Sequence, residues 1–292
     1  MSKPPSLLFV QTGHGDRLIV LVHGIMQRAS GMTDFADLIR SHTPAADIAI
    51  FDYDWTQPLH LSAAHLAAQL DLLKRTDIVL VGYSMGGLVA RLAVADHNLK
   101  AVQTVITLAT PNRGAVTTSQ LGFLGQEFMG GVRWVSPLAR CPGVVELTLA
   151  EDIFLERRDR PTVRAAVANK RYASIPGLYF HASRRYRSGK GLMGAVTLGL
   201  ERVSHIARPH DGIVAEGKNN IVARTSTEFA EFDFAGYANG PVRLHAAHLS
   251  ARELDHLSIL TSPQIARLVL TLVQNDDWSA LPHDPDVQVF TS

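Results

Sequence analysis

Four short runs rich in apolar and β-branched residues constrain this chain more than anything else in it. They are LIVLV at Leu18–Val22, then Ile48–Phe51, Ile78–Val81 and Val102–Leu108. A strand wetted on one face alternates apolar and polar side chains, so a continuous apolar run describes a strand covered on both faces of a parallel sheet. Between the runs the apolar spacing becomes helical: Phe35, Leu38 and Ile39, then Leu66, Leu70 and Leu73, then Leu88, Val89, Leu92 and Ala93. Alternating strands and helices with short connections predict an α/β fold, with a mostly parallel central sheet flanked by helices. At 292 residues, 46% of them hydrophobic, the chain has enough apolar material for one domain of this kind.

The alternation stops after Thr110-Pro111. From about residue 112 to 175 no strand stands out, and the segment reads as an inserted, partly helical cap. Leu178–His181 is then expected to resume as a short strand, and a Gly- and Arg-containing loop runs on to about Pro209. Val242–Ala246 is expected as the last strand. Ser262-Pro263 opens a final helix with a capping hydroxyl and a proline at its first position, and Leu268, Val269, Leu272 and Val273 form its apolar face.

Charge narrows the function. Twenty-eight basic residues against 27 acidic leave a net charge of +1. The basic residues are mostly scattered, which argues against a surface that tracks nucleic-acid phosphates. One cysteine, Cys141, allows no internal disulfide and fits a reducing compartment. The apolar run Leu7–Val10 is too short for a signal-peptide core, and no stretch approaches the roughly 20 apolar residues of a membrane span. The expectation is a soluble, cytoplasmic protein that makes at most transient membrane contact.

The segment DIVLVGYSMGGLVARLAV places Ser84 between a strand and a helix, with Gly82 two residues before it and Gly86 two after. A serine hydroxyl attacks well only when a base takes its proton and the chain holds it toward the substrate. A sharp strand-to-helix turn provides that exposure, and small residues at the flanking positions let strand and helix approach. The helix start also offers backbone N–H groups, that of Met85 among them, to a developing negative charge. The competing assignment for Ser84 is an ordinary helix cap.

VGYSMGGLVAR resembles the nucleophile elbow of the α/β-hydrolase superfamily, and LIVLVHGIM resembles the oxyanion-loop segment of its lipases and esterases. LATPNRGA at Leu108–Ala115 is similar to the strand end that precedes the cap in lipases and in deacylases of lipid-linked inositol. The resemblance implies an α/β-hydrolase fold and an oxyanion hole built from the N–H groups of Ile25 and Met85. His23, in such a loop, is expected to order the backbone by hydrogen bonding rather than to transfer protons. RPHDGIVA resembles the element that carries the lipase acid, which points to Asp211. LDHLSIL resembles the base segment, which points to His256. These follow Ser84 in the order nucleophile, acid, base that the fold uses. Asp233 stays open as an alternative acid and His248 as an alternative base.

Two further patterns carry less. Gly189 to Gly194 spells G-x-G-x-x-G, but no strand leads into it and no βαβ unit surrounds it. His205, His210, His245, His248 and His256 show no metal-ligand spacing, so neither a cofactor nor a catalytic metal is expected. Leu121–Val135 spaces large apolar residues among glycines. Phe123, Leu124, Phe128, Met129 and Trp134 are its candidate substrate contacts, lining an acyl pocket or packing the cap. The resulting expectation is a serine hydrolase of small-molecule or lipid carboxylic esters with an apolar acyl group. A thioesterase, an acyltransferase or a catalytically silent binding protein would share the same fold.

Overall fold

The computed structural model describes residues 4–112, 141–158, 160–167, 170–175, 177–178, 245–249, 251–252, 258–278 and 287–291. An edge strand, β1 (Ser6–Gln11), precedes the four apolar runs, which become β2 (Arg17–Val22), β3 (Asp47–Asp52), β4 (Asp77–Tyr83) and β5 (Val102–Leu108). Their composition follows from their surroundings. In β2, Leu18, Val20 and Val22 enter one core while Ile19 and Leu21 enter another, and all five are fully buried. None of these five faces water, so none needs to be polar.

The expected helices also form: α1 (Thr33–Arg40), α2 (Leu59–Leu72) and α3 (Met85–His97). Helix α3 ends at Asn98, which takes the left-handed conformation (φ 48°, ψ 47°) that asparagine tolerates at a helix end. Phe35 and Ile39 of α1 pack on one face of the sheet, and Leu66 of α2 with Leu88 and Leu92 of α3 pack on the other.

The segment expected as a strand-free cap turns out otherwise at its C-terminal end. Helices α4 (Pro142–Thr148), α5 (Ala150–Arg158) and α6 (Pro161–Val167) lead into β6 (Arg171–Ile175), which lies in the central sheet beside β5. Leu147, Phe154, Val163 and Val167 join the core that contains α2 and α3. The strand escapes a reading for apolar runs because Arg171 and Ser174 interrupt the apolar residues of RYASI. Residues 113–140 lie outside the described residues.

After β6, β7 (Gly177–Leu178) forms a two-residue ladder with β9 (Ala251–Arg252), and 179–181 of the strand expected there are not described. Strand β8 (His245–Leu249) overlaps the expected last strand and continues three residues past it. It is not the last: β10 (Val287–Thr291) pairs with it antiparallel. Between them α7 (Pro263–Gln274) starts as expected, the Ser262 hydroxyl accepting from the Ile265 N–H at 3.4 Å.

The large sheet has the order β1-β3-β2-β4-β5-β6-β8-β10, in which six neighbouring strands, β3 to β8, run parallel and both edges are antiparallel. The chain steps from β2 outward to β3, then returns past β2 to β4. Right-handed crossovers therefore put α1 on one face and α2 and α3 on the other. The reversal makes a topological switch point at β2 and β4, the place where sheets of this kind bind ligands beyond the carboxyl ends of their strands.

Candidate active site

Ser84 stands at that switch point, on the turn from β4 into α3. Its backbone takes φ 52° and ψ −125°, a left-handed φ that costs a non-glycine residue about 1–3 kcal/mol and persists only where the surroundings enforce it. Here they do. The Ser84 N–H donates to the Leu108 carbonyl of β5 at 2.8 Å, and the Ser84 carbonyl accepts from the Gly87 N–H at 3.1 Å. A Cβ at Gly82 would stand 2.4 Å from the Gly87 Cα, and one at Gly86 would stand 2.2 Å from the Val22 oxygen and 2.4 Å from the His23 oxygen. Both glycines are required by closeness: strand to helix at one, helix to the end of β2 at the other.

The cap reading of Ser84 does not hold. A capping serine is extended and accepts a hydrogen bond from the first turn. Ser84 is not extended, and its hydroxyl makes no such bond. The residue is buried, 3% exposed, at the head of a helix whose first N–H groups have no partner earlier in the helix.

The loop leaving β2 runs against this turn: a Cβ on Gly24 would lie 3.0 Å from the Ser84 Cβ. His23 organises it. The imidazole is fully buried and stacks on Tyr53 with ring centroids 4.4 Å apart. Its Nε2 accepts from the Tyr53 N–H at 3.2 Å, which leaves the ring proton on Nδ1 to donate to the Gly24 carbonyl at 2.9 Å. Burial is the largest influence on this group and pulls its pKa below the usual histidine value. The Gly24 bond, nearby Asp52 and the Tyr53 bond oppose the shift, while Arg28 adds to it. His23 is thus a neutral structural element, as the sequence suggests. The Tyr53 hydroxyl donates to the His23 carbonyl at 3.0 Å, and the Gly24 N–H donates to Gln27 Oε1 at 3.0 Å.

Ile25 follows, half-buried and packed against the core that holds the Met85 side chain. At the end of β5, LATPN bends back under α3. Ala109 has φ 46°, and buried Arg91 of α3 donates to the Asn112 carbonyl and to its Oδ1, at 3.2 and 3.0 Å. Asn112 in turn donates to the Thr107 hydroxyl at 3.2 Å. Sequence reading missed Tyr53, Gln27 and this Arg91 network. The one available signal for Tyr53 is its place just past the carboxyl end of a central strand.

The remaining sequence candidates are distributed differently. Asp211, His256, Asp233, Phe123, Leu124, Phe128, Met129, Trp134 and Gly189 to Gly194 lie outside the described residues. His248 lies inside β8, in register with Ser174 of β6 and Gln288 of β10. Among the described residues no group of three or more His, Cys, Asp or Glu side chains converges, and no helix is long and apolar enough to cross a membrane.

Comparison with known proteins bears on this arrangement. Residues 65–126, from α2 through the Ser84 turn to beyond β5, match the model of the PGAP1-like alpha/beta domain. The mature Bacillus licheniformis lipase BlEst2 is similar over 93% of this chain and 99% of its own, with a TM-score of 0.66 and 21% identity. In the propeptide form of that lipase the match covers 55% of the longer chain, at a TM-score of 0.64. An esterase of Thermogutta terrifontis has a TM-score of 0.50 at 14% identity, over 92% of this chain and 93% of its own. Identities this low establish a shared fold. No curated protein sequence matches the chain.

Proposed function

On the premise that the chain belongs by fold to the α/β hydrolases, we propose that it is a serine hydrolase of carboxylic esters with an apolar acyl group. The observation that carries the reading is the Ser84 backbone: strained, non-capping and seated at the switch point, with a helix start on one side and the Gly24 loop on the other.

In the proposed reaction His256 takes the Ser84 proton as Oγ bonds to the ester carbonyl carbon, and the carbonyl π pair moves onto oxygen. The Ile25 and Met85 N–H groups donate to that oxyanion; one such donor is commonly worth about 3 kcal/mol. As the intermediate collapses, the C–O bond to the alcohol breaks and His256 gives the leaving oxygen its proton. Water then repeats the sequence on the acyl-enzyme. Asp211 holds the His256 tautomer and stabilises the imidazolium. His256 is preferred to His248 because His248 occupies a sheet position, whereas His256 follows the strand in the chain. The apolar acyl preference rests on the composition of Leu121–Val135.

Labelling with a fluorophosphonate tests the assignment: the wild type should react and Ser84→Ala should not, and equal labelling would remove Ser84 as nucleophile. Asp211→Asn and His256→Ala should each lower kcat on a p-nitrophenyl ester by about a thousandfold or more. Activity retained in His256→Ala and lost in His248→Ala would move the base to the earlier histidine.

A further inference from the structure

We propose that Tyr53 and Gln27 are positioning residues which, with His23, aim the Ile25 N–H at the carbonyl oxygen of the substrate. The inference rests on the ester-hydrolase reading above and concerns how its oxyanion hole is kept in shape.

A peptide unit is planar, with its C=O and N–H pointing opposite ways, so holding either polar end fixes the direction of the other. The His23–Gly24 unit is held at both ends. Its carbonyl accepts from the Tyr53 hydroxyl at 3.0 Å, and its N–H donates to Gln27 Oε1 at 3.0 Å. The following unit, Gly24–Ile25, carries the proposed oxyanion donor. Its carbonyl accepts from His23 Nδ1 at 2.9 Å, which turns the Ile25 N–H to the opposite side.

The joint between the two units is Gly24, the residue type with the widest choice of backbone angles. The space there is tight as well, because a Cβ would stand 3.0 Å from the Tyr83 ring and the Ser84 Cβ. A loop that carries its most flexible residue beside the nucleophile needs anchors on both sides of it, and these side chains supply them. Tyr53 acts twice: its backbone N–H selects the His23 tautomer that can donate to the Gly24 carbonyl, and its hydroxyl holds the preceding carbonyl. Burial pushes the Tyr53 phenol well above its usual pKa, so the hydroxyl keeps its proton and remains a donor. Gln27 is braced in turn, its side chain lying against Gly31.

The test compares an ester with its thiono analogue, in which sulfur replaces the carbonyl oxygen. Sulfur accepts hydrogen bonds weakly, so its turnover depends less on a well-aimed N–H. Tyr53→Phe and Gln27→Ala should each lower kcat on the oxygen ester by about tenfold or more, since small misplacements of catalytic groups carry penalties of that order. KM should stay within about twofold, and the ratio of oxygen-ester to thiono-ester turnover should fall by about tenfold. Gln27→Glu, which keeps an acceptor oxygen, should recover most of the rate. Gln27 occupies a half-buried loop position, so Gln27→Ala carries the test if Tyr53→Phe does not fold. Unchanged kcat in a variant whose Ser84 still takes the fluorophosphonate, or an equal loss on both esters, would overturn the positioning role and leave the hydrolase reading standing. A wild type that neither labels nor turns over either ester would overturn both.

Discussion

Two turns leave neighbouring strands at the same end of the sheet and are held by different kinds of contact. The turn after β4 is shaped by backbone against backbone. Ser84 is bonded through its own N–H and C=O, and Gly86 lies where a single carbon would strike two carbonyl oxygens. The loop after β2 is shaped by side chains, with His23, Tyr53 and Gln27 each holding a peptide group of the loop. The first can change only by refolding, because main chain offers no substitute partners. The second can be weakened one hydrogen bond at a time, so its geometry is open to adjustment by mutation.

That contrast predicts a graded set of effects. Gly86→Ala should be the most damaging, costing about 3 kcal/mol or more in chemical denaturation as the helix start is driven off β2. A loss below about 1 kcal/mol would mean that the turn is as adaptable as the loop. Tyr53→Phe should cost about 2 kcal/mol, since it leaves the buried His23 carbonyl without its donor. The contrast would sharpen further with Ser84. Ser84→Gly should be more stable than Ser84→Ala by about 1 kcal/mol, because only glycine relieves the left-handed φ, and both should be inactive. Equal melting temperatures for the two variants would show that the strain is not stored at this residue.

The last effect concerns acid. His23 has a lowered pKa in the folded state, so between that value and its ordinary one the unfolded chain binds the extra proton. The stability it contributes is complete above about pH 6.5 and declines as pH falls below it, by at most about 1.4 kcal/mol per pH unit. Asp52, with Oδ1 3.5 Å from Nε2, moderates the decline, and Arg28 opposes that moderation. His23→Gln should be less stable at neutral pH yet lose less stability on acidification. Parallel stability curves for the two proteins would remove His23 as the acid-sensitive point of the loop.

What could be read from the sequence divides along the same line. The Ser84 turn was legible because its chemistry is contiguous: strand, small residue, serine, small residue and helix occupy one short segment, and close approach dictates each. The β2 to β5 strands were legible because burial on both faces fills them mostly with apolar and β-branched residues. Strand β6 was not, since Arg171 and Ser174 break the apolar run, and the edge strands β1 and β10 were missed because they stand outside the strand–helix alternation and pair antiparallel. Tyr53 was invisible for a different reason. It meets His23 from thirty positions further along the chain, and nothing in the local pattern of either residue encodes the other. The acid and base, Asp211 and His256, were named from chain order and family likeness, and they remain proposals.

By itself, then, the sequence determined the alternation of buried strands and amphipathic helices and the shape of the turn that carries Ser84. Both follow from periodicity and from steric demands within a few residues. Only the tertiary structure decided that β2 lies beside β4, that Gly24 therefore rests against Ser84, and that Tyr53 selects the tautomer of His23. Those facts depend on the order in which right-handed crossovers lay strands into the sheet, and that order brings together residues whose own neighbourhoods in the chain are silent about one another.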